Sequence, residues 1–138
     1  MAAMSDVPTS AEYRLACKVY YEDTDCMGVV YHANYLKYFE RGRTEFLAAH
    51  HLSVAELAAE QDTQFVVYRI DVTFKAPAKL GDELEIVSRA RLVSPYRVTF
   101  EQRVECPKRG PKPLVVAEVE LVCIDKEQGL KPIPSLGF

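Results

Sequence analysis

The chain has 138 residues, of which 49 % are hydrophobic, enough for one domain with its own core and too apolar for intrinsic disorder. Its 17 basic and 20 acidic residues leave a net charge of −3 with no long basic block, which argues against nucleic acid or an anionic membrane as partner. Residues 1–20 contain no continuous apolar stretch of signal-peptide type, and no run approaches the roughly 20 apolar residues of a membrane span.

Residues 1–12 are polar and predict a disordered tail ahead of a single domain over 13–138. Residues 15–21 read as a first strand, β-branched and aromatic in the second half. A loop follows over 24–28, where Gly28 is free to take positive φ, and Asn34 suits a helix cap. From 34 to 50 the period is helical. Tyr35, Phe39, Gly42, Phe46 and Ala49 form one stripe, widened by Leu36, Tyr38 and Leu47, with Lys37, Arg41, Thr44 and Glu45 opposite. Glycine inside a helix costs about 1 kcal/mol relative to alanine, so Gly42 on the apolar stripe predicts close approach to a strand. Ser53 to Glu56 is a capping-box pattern for a short second helix ending at Glu60.

Everything beyond reads as strand. Val66, Tyr68, Ile70, Val72 and Phe74 alternate with Val67, Arg69, Asp71, Thr73 and Lys75. Leu84, Ile86, Ser88, Ala90 and Leu92 alternate with mostly charged partners. Residues 98–104 and 117–123 add two more strands, while residues 129–134 are too proline-rich for a central one. The order β, long α, then about four consecutive strands predicts an α+β fold, an antiparallel sheet with one long helix covering a face. One helix cannot cover every apolar position, and a homodimer continuing the sheet would protect its edge. Cys17, Cys26, Cys106 and Cys123 form no CxxC pair and have no histidine at zinc-ligand spacing, which predicts free thiols, no metal site and a cytoplasmic protein.

The chemistry concentrates in residues 20–35, YYEDTDCMGVVYHANY. Glu22, Asp23 and Asp25 precede Gly28, and His32 precedes the helix. A carboxylate facing a helix N-terminus across a glycine turn suits attack on a polarised carbonyl. Competing structural roles exist for each residue. Asp25 also fits an Asx-turn closing the glycine loop, His32 a helix-entry residue and Tyr21 ordinary strand core. Glu22 and Asp23 read as solvent-facing or loop-structuring.

The segment VYYEDTDCMGVVYHANYLKYFERGRTE, residues 19–45, closely resembles the YbgC group of acyl-CoA thioesterases in the 4-hydroxybenzoyl-CoA thioesterase superfamily. The resemblance continues through FVVYRIDVTFKAPAKLGDELEI and into the Lys131-Pro132-Ile133-Pro134 tail. It implies the hotdog fold, about five antiparallel strands wrapped around one long central helix. It also implies a homodimer or homotetramer with the active site at the dimer interface. By position it assigns catalysis to Asp25, His32 and Tyr21, and substrate contact to Gly28, Tyr31 and Tyr35. Backbone N–H groups at or beside His32 would polarise the thioester carbonyl. Asp25 would attack the carbonyl or deprotonate a water, and His32 would orient that water or protonate the leaving thiolate. No cofactor is implied, since coenzyme A belongs to the substrate. Its phosphates need cations. The turn before the fourth strand, often basic in the superfamily, offers Arg97, and Arg89, Arg91, Lys108 and Arg109 are other candidates.

Three further readings compete. A hotdog hydratase or dehydratase would carry Asp and His about five residues apart in a different loop, whereas Asp25 and His32 fit the hydrolases better. An acyl-binding or scaffolding module associated with the Tol-Pal envelope system is the non-enzymatic reading, and acyl carrier protein is a second substrate carrier. A Cys26–His32 pair would make a thiol nucleophile, which the family mechanism does not need.

Overall fold

The computed structural model describes residues 7–138, and the first part of the expected disordered tail, residues 1–6, lies outside them. Five strands form one antiparallel sheet in the order β1 (Tyr13–Lys18), β3 (Glu83–Ser94), β4 (Arg97–Glu105), β5 (Val115–Ile124), β2 (Gln64–Phe74). A two-residue strand, β6 (Leu130–Lys131), adds to β5 near its end, so the proline-rich tail contributes only a short edge piece. The sheet curls around α1 (Asn34–Ala49), and α2 (Val54–Gln61) lies beside β2. Half of the expected capping box is formed, Ser53 Oγ accepting from the Glu56 N–H at 3.2 Å.

Residues 7–12 are not frayed. The Ser10 N–H donates to Ala90 O at 2.8 Å, the Ala90 N–H donates to Ser10 Oγ at 2.9 Å, and Thr9 bridges Arg91. The reason lies in strand lengths. β1 pairs only with the first half of β3, from Glu83 to Ser88, so the rest of the β3 edge needs partners that this polar segment supplies.

The core has two parts along α1. Tyr35, Tyr38 and Phe39 pack on Leu84, Ile86, Val104 and Val115. Phe46 and Leu47 pack on Val98, Phe100, Val119 and Leu121, with Phe46 and Phe100 edge to face at 5.1 Å. Burying each such side chain contributes about 1.5–3 kcal/mol. Gly42 lies between them, where an added Cβ would stand 2.9 Å from both Ile86 Cγ2 and Ser88 Oγ, so the close approach read from the sequence is real. The stripe is rotated from its expected position. Leu36 and Ala49 are exposed while Arg43 is buried, its Nη1 donating to Gln102 Oε1 at 3.1 Å. Gln102 Nε2 in turn donates to Phe39 O at 2.9 Å and Ser88 Oγ at 2.8 Å, a polar tie between helix and sheet that hydrophobic periodicity does not announce.

Candidate active site

After β1 the chain leaves the sheet earlier than expected. The Tyr20 N–H donates to Asp23 Oδ2 at 2.9 Å, which bends Tyr21–Asp23 into a 3₁₀ turn instead of prolonging the strand. Residues 24–30 then form a small hairpin. Thr24 bridges Val30, the Asp25 N–H donates to Val29 O at 2.9 Å, and the Gly28 N–H donates to Asp25 O at 3.1 Å. Gly28 has φ of 78°, a conformation L side chains rarely adopt. The hairpin is fastened to the loop after β2, with the Val30 N–H on Ala78 O at 2.9 Å and the Leu80 N–H on Gly28 O at 3.0 Å. The Met27 N–H donates to Asp25 Oδ1 at 2.8 Å, so Asp25 does form the Asx-turn. That role does not compete with catalysis. It fixes one oxygen and leaves Oδ2 without a protein partner among the described residues.

Asp23 is only 5 % exposed, which rules out a solvent-facing role and leaves it as the structural acid of the loop. Its Oδ1 accepts from Asn34 Nδ2 at 3.1 Å and its backbone O from the Tyr31 N–H at 3.0 Å. Asn34 is therefore not the helix cap. Ala33 holds that position and makes no side-chain cap. Near the helix start, the Val30 N–H is taken by Ala78 O, Tyr31 by Asp23 O and Asn34 by Tyr31 O. The N–H groups of His32 and Ala33 have no acceptor among the described residues. They stand at the positive end of the α1 dipole, where a developing oxyanion is stabilised.

Asp25, Val29, Val30, His32 and Tyr35 line one side of a cleft of about 330 Å³. Phe74, Lys75, Ala76 and Pro77, from the end of β2, line the other. Tyr35 is an anchor, its hydroxyl accepting from the Ala78 N–H at 3.0 Å, and burial pushes its pKa up, so it stays protonated. The His32 ring leans on Tyr31 at 4.5 Å and meets the edge of Phe74 at 6.4 Å, placing an exposed imidazole beside the cleft.

The chain thus brings Asp25, His32 and Tyr35 together, with Tyr31 behind His32. It does not bring Tyr21 or Arg97 to them. The Tyr21 side chain is 83 % exposed and outside the cleft lining. Arg97 lies over the Tyr68 ring at 5.1 Å, pairs with Glu120 at 3.6 Å and lines a separate hollow. Gly28 shapes the loop without lining the cleft, and Cys26 is exposed and also outside it. The far wall, Phe74 to Pro77, escaped the site reading of the sequence, because it faces Asp25 through the long-range pairing of residues 28–30 with 78–80. A hollow of about 370 Å³ on the outer sheet face is lined by Glu12, Arg89, Glu101, Arg103 and Glu118 among others. Its arginines are already paired with carboxylates, and it lies away from the loop and helix start.

Comparison with known proteins agrees with this geometry. Residues 19–135 match the family model of the thioesterase-like superfamily. The chain is 43 % identical over 113 residues to the acyl-CoA thioester hydrolase YbgC of Escherichia coli O6:H1, covering 82 % of each. A probable thioesterase from Bartonella henselae superposes with a TM-score of 0.84 at 35 % identity, covering 90 % of this chain and 100 % of that one. A 1,4-dihydroxy-2-naphthoyl-CoA thioesterase from Synechocystis also superposes with a TM-score of 0.84, at 25 % identity over 91 % and 92 % of the two chains. One long helix wrapped by a curled antiparallel sheet, with an Asp loop set against that helix's start, is a hotdog thioesterase scaffold, and the chain belongs to the thioesterase-like superfamily and within it to the YbgC family.

Proposed function

We propose that the protein hydrolyses acyl-CoA thioesters to free acid and coenzyme A, with Asp25 as the carboxylate that drives attack. The observation that carries this most directly is that the half-fixed Asp25 carboxylate and His32 line one cleft at the α1 start, where the N–H groups of His32 and its neighbour Ala33 are unclaimed among the described residues. The thioester carbonyl oxygen points at the His32 and Ala33 N–H groups. Oδ2 of Asp25 either takes a proton from a water that attacks the carbonyl carbon, or attacks that carbon itself to give an aspartyl–acyl anhydride, which a water then hydrolyses to release the acid and restore the carboxylate. Collapse of the tetrahedral species breaks the C–S bond, and the thiolate leaves with a proton from His32. Either route uses the same free oxygen. Losing one oxyanion donor of this kind costs about 2.7–4 kcal/mol of transition-state stabilisation.

The working unit is a homodimer joined along β2. This strand is a free edge among the described residues, and Val66, Val67, Tyr68, Ile70 and Phe74 are exposed along it. An apolar edge of this length favours pairing with a second copy. Phe74 is both on this edge and in the cleft wall, so pairing would close the site.

Release of free thiol from a panel of short, long and aromatic acyl-CoAs is the test. Turnover of at least one class, unchanged in Cys26→Ala, is expected. Absence of thiol release from every member would contradict hydrolysis and favour a binding module.

A further inference from the structure

The Asp25 cleft adjoins a second hollow of about 330 Å³, ringed by Lys75, Arg109 and Lys112 over Ala76, Pro113 and Leu114. Lys75 and Ala76 line both hollows, so the two share a wall. No carboxylate lines the second one, although the chain as a whole carries −3. Arg109 and its neighbour Lys108 are balanced by Asp82 and Glu83. Lys75 and Lys112 have no carboxylate within ion-pair distance among the described residues. The platform is fixed by backbone. The N–H groups of Lys75 and Ala76 both donate to Leu114 O, at 2.8 and 3.0 Å. Arg109 Nη1 donates to Pro77 O at 2.8 Å and to Asp82 Oδ2 at 3.0 Å, which sets the guanidinium where the hollows meet. Its Nε and Nη2 hydrogen-bond to nothing among the described residues.

The geometry points to this hollow as the site that holds the phosphates of the substrate's coenzyme A. Lys75, Lys112 and the free face of Arg109 take the phosphate oxygens by charge-assisted hydrogen bonds. The pantetheine arm runs over Ala76 and Pro77 into the cleft, bringing the thioester to Asp25. Of the cations the sequence offered for the phosphates, Arg97, Arg89, Arg91, Lys108 and Arg109, only Arg109 lines this hollow, and Lys75 and Lys112 join it. Arg97 is committed to Glu120 and Tyr68, and its hollow shares no residue with the Asp25 cleft. The inference rests on the thioesterase proposal for the identity of the ligand, and not for the existence of an anion site.

Calorimetric titration of coenzyme A and of pantetheine, which lacks the phosphates, tests it without requiring turnover. Lys112→Glu is expected to weaken coenzyme A about tenfold at low ionic strength, with the difference closing by about 0.5 M salt. Pantetheine affinity and melting temperature stay unchanged. Equal coenzyme A affinity in wild type and variant, or an equal loss for pantetheine, would overturn the assignment. The two proposals fail separately. A wild type that hydrolyses nothing, yet binds coenzyme A in this Lys112-dependent way, loses the thioesterase reading alone. An Asp25-dependent hydrolase whose coenzyme A affinity ignores Lys112 loses the phosphate site alone.

Discussion

Replacing Asp23 with its amide probes how the catalytic loop is held. Each carboxylate oxygen of Asp23 faces a donor, Oδ2 the Tyr20 N–H at 2.9 Å and Oδ1 the Asn34 amide at 3.1 Å. Asparagine has one acceptor atom and one donor group, so it keeps the Tyr20 bond only by turning its NH₂ toward Asn34, whose amide must then turn over to accept, and in the other flip its NH₂ is driven against the Tyr20 N–H. The site is 5 % exposed, leaving little room for water to intervene. Removing the charge that strengthens both hydrogen bonds in a buried site costs about 1.5–3 kcal/mol. For a domain of this size that lowers the melting temperature by roughly 5–10 °C. Asp23 ties the Asp25 loop to the first helical turn, so kcat should fall about tenfold or more while the protein remains folded. Thermal melting followed by circular dichroism, with steady-state thiol release at a temperature where the variant is native, measures both. An Asp23→Asn protein with unchanged melting temperature and unchanged kcat would refute the clamp.

Other outcomes follow from the same geometry. The buried Tyr38 hydroxyl lies beside Asp23 and Asn34 without forming a hydrogen bond of good geometry to either, so Tyr38→Phe should change stability by no more than about 1 kcal/mol in urea titration. A loss of more than that would mean the hydroxyl is satisfied. Hydrogen bonding to Arg103 holds the Glu12 carboxyl below its ordinary value of 4.5. At Glu105, burial opposes the shift, but Arg103 and Arg14 outweigh it and keep the carboxyl low as well. Lowered folded-state values mean that the stabilisation is fully present above about pH 4.5 and is lost as pH falls through the folded values. The melting temperature should therefore drop on acidification below that point, and drop less in Arg103→Ala. Equal acid sensitivity in the two proteins would contradict this. A lysine at Ile70 on the free β2 edge should convert a wild-type dimer to monomer in analytical ultracentrifugation and depress thiol release. A monomeric wild type would remove the edge-pairing proposal.

The fold was readable because its signals are long and regular. Alternation marked β3 and β5, and the helical stripe with Gly42 marked the close contact of α1 with the sheet. What escaped were contacts between residues far apart in the chain. Ser10 looks like tail until the uncovered length of the β3 edge is known, and nothing local marks Arg43 for burial until Gln102 is placed beside it. β2 shows why pattern alone misleads at an edge. Its alternation is clean, yet both faces are exposed, and the register shifts between Val67 and Arg69. At the site, the DTD segment and His32 mark the loop, but only the hydrogen bonds distinguish the structural acid, Asp23, with both oxygens engaged, from Asp25, with one. The cations beside the cleft come from Lys75, Arg109 and Lys112, which no local motif links.

Steady-state thiol release by Asp25→Asn, on the best acyl-CoA substrate, bears most directly on the proposed chemistry. The amide keeps the side-chain shape and, through its carbonyl oxygen, the Asx-turn to Met27, while removing the charged oxygen that drives attack. A kcat at least about a hundredfold below wild type, with an unchanged melting temperature, is the predicted result. Undiminished turnover in Asp25→Asn would contradict it.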